Sequence, residues 1–170
     1  MAMRKQIPVG EITLFGMLGG LTAAAQILMS PLPNIEPVSL LVMLYAVVVG
    51  WKCLYPIYVF VLIEILFFGI QLWNVNYLYV WTVLALLAIL FRTMKSPLGW
   101  AILSGAFGLF FGFLCSVVYL FIGGPGMMFS WWASGIMYDF AHCVGNFVLA
   151  LVLFVPLRSL MEKLYRKIKL

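Results

Sequence analysis

Five short interruptions are all that divide the apolar sequence of this chain. They fall at 30–37, 51–53, 71–76, 92–97 and 123–128. The runs between them cover about 11–29, 38–50, 54–70, 77–91, 98–122 and 129–157. All six are too long and too uniformly apolar for membrane strands, which alternate with period two. A backbone without water must satisfy its own polar groups, which leaves helices. A spanning helix takes about 20 apolar residues, so the short second run sits tilted or crosses only partway. Composition closes off the other classes. The chain is 66% hydrophobic and 9% charged, against roughly 45–50% and about 25% in soluble domains. Disorder requires low hydrophobicity. The three cysteines, Cys53, Cys115 and Cys143, lie far apart inside apolar runs and are odd in number, so a disulfide framework does not fit. The expected fold is an all-α integral membrane domain of six transmembrane helices covering residues 1–170.

The basic residues orient it. Arg4 and Lys5 precede the first run, and Lys52 separates the second from the third. Arg92 and Lys95 separate the fourth from the fifth, and Arg158, Lys163, Arg166, Lys167 and Lys169 follow the sixth. With six spans every one of them falls on the same side, which the positive-inside rule makes the cytoplasm. N- and C-termini are then both cytoplasmic, and segments 30–37, 71–76 and 123–128 face outward. The net charge of +5 is thus a topology signal with no need of nucleic acid, and the basic tail would also attract anionic lipid. Arg4, Lys5 and Ala23-Ala24-Ala25 mimic a cleaved signal peptide, but the apolar run continues past the alanines to Met29, against cleavage.

Small residues make two smooth stripes. Gly16, Gly20 and Ala24 repeat every fourth position in the first run, with Gly19 and Ala23 beside them. Such a stripe lets another helix approach backbone to backbone, within this chain or on a membrane partner. In the fifth run Gly105, Gly108, Gly112 and Ser116 make a second stripe, read as internal packing.

Ionisable residues inside a bilayer are costly and are functional candidates. Here they are Glu64 in the third run and Asp139 and His142 in the sixth. Asp139, His142 and Asn146 share one helical stripe, which Trp132 and Gly135 extend toward the outer end. A hydrogen-bond network bridging helices and a ligand site explain these residues equally well. The single histidine excludes a two-His metalloprotease site, and Asp139, His142 and Cys143 make a poor metal set because neighbours on a helix point apart. No serine is clearly placed for a Ser–His–Asp site, and there is no P-loop. The outward segments supply Asn34 and Glu36, then Trp73, Asn74, Asn76 and Tyr77, then Trp131 and Trp132. Asn74, Tyr77 and Trp81 share a face if that region is helical. Trp and Tyr form interfacial belts, but aromatic walls with a few polar groups also make small-molecule pockets.

Four features together resemble the substrate-binding membrane subunit, or S component, of energy-coupling factor (ECF) vitamin transporters. These are the length with six helices and both ends inside, and the small-residue motif of the first helix. The others are the stretch Leu32-Pro33-Asn34-Ile35-Glu36-Pro37-Val38 and the run Ser134-Gly135-Ile136-Met137-Tyr138-Asp139-Phe140-Ala141-His142-Cys143-Val144-Gly145-Asn146-Phe147. The family's first-helix motif is usually Ala-x-x-x-Ala; glycine stands here at Gly16 and Gly20.

The resemblance implies a bacterial plasma-membrane protein that captures a vitamin or related micronutrient from outside. It implies docking through Gly16, Gly19, Gly20, Ala23 and Ala24 on an EcfT-type membrane coupling protein that carries two ATPase subunits. The chain would itself be no enzyme and would hold no cofactor. Asn34 and Glu36 would gate or contact the ligand. Glu64, Asn74, Tyr77 and Trp81 would line the middle of the pocket, and Trp132, Asp139, His142 and Asn146 its floor and one wall. The scarcity of cations outside or within the spans disfavours an anionic ligand. A neutral or cationic ring compound fits better: thiamine or its pyrimidine, a pyridoxal relative, a queuosine precursor or a corrinoid, the last favoured by the look of the loops. Two other readings fit the composition, a structural subunit such as a rod-shape scaffold and a small intramembrane enzyme using Asp139 and His142.

Overall fold

The computed structural model describes residues 8–31 and 35–168. These are 91% helical and contain no strand. The helices are α1 (Val9–Met29), α2 (Val38–Val49), α3 (Leu54–Phe68), α4 (Leu72–Leu90) and α5 (Pro97–Ile168), with a single 3₁₀ turn, Gly50–Cys53, between α2 and α3. Four helical stretches are long and apolar enough to cross a membrane: Val9–Met29, Val38–Phe68, Leu72–Leu90 and Pro97–Ile168. Two of the four are broken. Val38–Phe68 turns at Gly50, where φ is +62°. Pro97–Ile168 breaks at Gly123 and Gly124, the latter at φ +77°, a left-handed conformation that glycine adopts without steric cost. Pro125 then opens the second arm, where its missing N–H is no loss. The arms of α5 are residues 97–122 and 125–168.

Helix starts differ from the sequence expectation in one instructive place. Segment 71–76 reads as a polar outer loop, yet α4 already begins at Leu72. Its polar residues build a capping box. The Gln71 N–H donates to Asn74 Oδ1 at 2.5 Å, and the Gln71 side chain accepts from the Asn74 N–H. The side chains that suggest a loop are those that satisfy the orphan donors of a helix start. Segment 123–128 is likewise mostly helix, because only two glycines are needed to turn the chain there.

The bundle is apolar outside and partly polar within. Leu21, Leu62, Leu66, Phe110, Met137 and Val152 are exposed, whereas Thr22, Ser39, Glu64, Asn76, Ser104, Ser116, Asp139, His142 and Asn146 are buried. That inversion suits a protein whose surroundings are lipid. α1 packs chiefly along α3. Phe15 stacks on Tyr55 with centroids 5.6 Å apart, and Gly19 lies against Val59 and the Pro56 carbonyl. The two helices therefore run parallel. α2, α4 and α5 pack together around Tyr45, Trp81, Leu84 and Phe107.

One end of the bundle gathers the basic residues. Lys52 in the 3₁₀ turn pairs with Glu11 near the start of α1 at 2.5 Å, and Tyr165 near the end of α5 donates to the same carboxylate at 2.8 Å. Arg158 reaches the Met94 carbonyl between α4 and α5. The start of α1, the α2–α3 turn, the α4–α5 link and the end of α5 thus meet. Asn34 lies outside the described residues. Glu36, just before α2, is partly buried and stands 3.4 Å from His142. The 12 residues of α2 rise about 18 Å, short of a hydrocarbon core of about 30 Å.

Candidate functional site

The small residues of the first arm of α5 create the floor. A Cβ on Gly105 would stand 3.2 Å from Phe147 Cβ, and one on Gly108 would stand 2.8 Å from the His142 carbonyl. The two arms therefore touch backbone to backbone, in antiparallel register, as the second small-residue stripe predicts. Close approach carries the polar stripe of the second arm into the interior. Asp139 Oδ1 accepts from the Gly112 N–H at 2.8 Å, a contact that any side chain at 112 would block. The Trp132 indole lies beside the same carboxylate. His142 meets Phe111 edge to face at 4.8 Å, and its Nε2 stands 3.4 Å from Glu36 Oε1. Asn146 Nδ2 donates to Ser39 Oγ at 3.0 Å and lies 3.5 Å from the Ser104 carbonyl. It clamps α2 against both arms of α5.

The facing wall is aromatic and comes from α4. Trp73, Tyr77 and Trp81 recur every fourth residue, with successive centroids 5.0 and 5.2 Å apart. Trp81 is fully buried and meets Phe60 of α3 and Phe107 and Phe111 of α5. Asn74 shares that face. The Tyr77 hydroxyl accepts from Gln26 Nε2 of α1 at 3.2 Å.

Around Tyr77 the polar side chains stop pairing with one another. Gln26 Oε1, Glu36 Oε1, Glu64 Oε1, Asn74 Nδ2 and Trp81 Nε1 are buried with no hydrogen-bond partner among the described residues. They come from α1, the segment before α2, α3 and α4. Tyr77 lies within the electrostatic reach of both Glu36 and Glu64. Buried polar groups in folded proteins are overwhelmingly paired, and each exception calls for an explanation. Ser104 Oγ, Trp132 Nε1, Asp139 Oδ2 and His142 Nε2 are likewise buried without a hydrogen-bond partner among the described residues, and this concentration of unpaired polar atoms makes the region a candidate ligand site.

The sequence-predicted residues therefore divide by task. Tyr77 and Trp81 touch, and Phe111 links Trp81 to His142, which lies 3.4 Å from Glu36. Glu64, Asn74, Trp132 and Asp139 are buried or carry buried polar atoms in the same bundle, while Asn146 is occupied as a clamp. The structure adds Gln26 and Ser39, which the sequence reading does not single out. Gln26 carries a legible signal, a lone amide inside an apolar run. Ser39 carries none, because a serine at a helix start is commonplace. The first-helix residues split between two faces. Gly16 and Gly20 have open space where a Cβ would stand and Ala24 is exposed, whereas Gly19 and Ala23 are packed inward. At about 100° per residue the two sets lie side by side on the helix, so the packed edge of the stripe grades into the open one.

No family model, curated protein sequence or solved structure matches this chain.

Proposed function

We propose that this chain is the substrate-binding subunit of an energy-coupling factor type importer in a bacterial plasma membrane. It takes a vitamin-like small molecule from outside and presents it to an EcfT-type coupling protein that carries two ATPase subunits. The observation that carries the reading is the convergence of unpartnered buried polar groups around the Tyr77–Trp81 wall. A structural scaffold would gain nothing from leaving those groups unsatisfied in a membrane. The gathering of Glu11, Lys52, Arg158 and Tyr165 at one end supports six crossings with both termini at the cytoplasmic face. The ligand site then lies in the outer half.

Docking falls to the outward face of α1. Gly16, Gly20 and Ala24 present a smooth, lipid-facing strip on which a helix of the coupling protein can pack closely. Gly19 and Ala23 hold α1 to α3 beneath it. Gly16→Trp fills the strip without touching the ligand site. It is expected to retain ligand affinity while losing co-purification with the coupling protein and losing uptake. Normal uptake by Gly16→Trp would remove α1 from the docking surface.

A further inference from the structure

We infer that the ligand carries a positive charge, seated between Glu36 and Glu64 against the aromatic wall of Tyr77 and Trp81. The inference rests on the carrier reading and goes further, to the chemical class of the cargo. Three of the chain's five acidic residues, Glu36, Glu64 and Asp139, lie in this one region. Every described lysine and arginine lies elsewhere, in the α2–α3 turn, the α4–α5 link or the end of α5. Among the described residues the only basic side chain facing the acids is His142, which stands against Glu36 and within electrostatic reach of Asp139.

The three carboxylates are not equivalent. Asp139 Oδ1 is held by the Gly112 N–H with Trp132 beside the carboxylate, while its Oδ2 has no hydrogen-bond partner among the described residues. Glu36 Oε1 stands 3.4 Å from His142 Nε2 but accepts no hydrogen bond from it or from any other of the described residues. Glu64 is 1% exposed, and its Oε1 has no partner among them either. Glu36 and Glu64 are close enough to repel one another. Two such groups in a low-dielectric interior are unfavourable on their own and strongly attractive to a cation that donates to both. The neighbouring rings add a second preference. Indole and phenol faces attract cations, most strongly where water is excluded, and they stack on planar rings. A planar nitrogen heterocycle with a cationic or protonated amine centre satisfies all of these at once. An anionic ligand would face three acids with no described lysine or arginine to meet it. This narrows the range left open by the sequence to its cationic members.

The test uses the full-length protein in detergent and a panel of ring-bearing vitamins of different charge. Thiamine and pyridoxamine are the cations, pyridoxine and riboflavin the uncharged members, and biotin and nicotinate the anions. Binding is read by native mass and isothermal calorimetry. A cation should bind, with affinity falling about tenfold or more in both Glu64→Gln and Glu36→Gln, the loss of one charge-assisted hydrogen bond. Without ligand, Glu64→Gln should melt at or above the parent temperature, because it removes an unpaired buried carboxylate. Binding confined to an uncharged or anionic member, with Glu64→Gln unchanged, would overturn the inference and leave the carrier reading intact. Binding by no member to the parent protein would count against both.

Discussion

Replacing Gly19 with alanine drives a methyl group into the α1–α3 seam. The new Cβ would stand 2.6 and 2.7 Å from Val59 side-chain carbons and 2.8 Å from the Pro56 carbonyl oxygen. Non-bonded carbons rest about 3.5–4.0 Å apart, so the seam must open by about an ångström. Neither neighbour yields easily. Val59 is β-branched and has essentially one χ1 rotamer in a helix, and the Pro56 oxygen is backbone. Overpacking of this kind costs about 1–3 kcal/mol, offset by about 1 kcal/mol of helix propensity gained over glycine. The net loss reaches about 2 kcal/mol, equivalent to at most about 4–8 °C in Tm for a chain of this size. Gly16→Ala and Gly20→Ala meet nothing within 4 Å. They keep the propensity gain, so their Tm should hold or rise by up to about 4 °C. The assay is size-exclusion of the heated protein, with all three variants in one detergent. A Gly19→Ala protein that melts with or above Gly16→Ala would refute this division of α1 into a packed face and an open one.

Three further outcomes follow from the site. Asn146→Ala leaves Ser39 Oγ without its donor and unties α2 from α5. It should cost about 1–3 kcal/mol, read as a Tm loss of several degrees, and a Tm equal to the parent would remove Asn146 from the clamp. Gly108→Ala sets a methyl 2.8 Å from the His142 carbonyl, which is backbone on both sides. It should lower both Tm and ligand affinity by displacing Asp139 and His142, and a variant that changed neither would contradict the backbone contact between the arms. Trp81→Phe keeps the ring cluster but deletes the unpartnered Nε1 donor. Ligand affinity should fall several-fold with Tm nearly unchanged, and an unchanged affinity in calorimetry would place the ligand away from Trp81.

Much of this architecture is legible in the sequence, because a membrane simplifies the physics. Apolar runs mark helices, and the cost of burying charge singles out Glu64, Asp139 and His142, all of which are buried. What a sequence does not supply is the neighbour of each face. Gly16, Gly19, Gly20, Ala23 and Ala24 read as one smooth surface, and only the position of Val59 shows that Gly19 is consumed by internal packing. Asn146 reads as a pocket residue because its stripe partner His142 does face the site. Its pairing with Ser39 joins residues 107 positions apart, which no local pattern reveals. The start of α4 is obscured for a different reason. Gln71 and Asn74 are polar both in a loop and in a capping box, and only backbone geometry separates the two. Glu11 stands at the edge of its run and gives no sign of its role. Lys52 lies on the same side by charge pattern, but Tyr165 closes the cluster from the far end of the chain.

The measurement that bears most directly on the carrier reading is native mass spectrometry of the detergent-purified chain. It would be recorded alone and after incubation with the complete small-molecule fraction of a rich growth medium. The expected result is one bound mass of vitamin size at one per chain, removed by washing, restored on re-addition and weakened in Glu64→Gln. A chain that takes up no small molecule from that mixture, while remaining folded, would contradict the carrier reading.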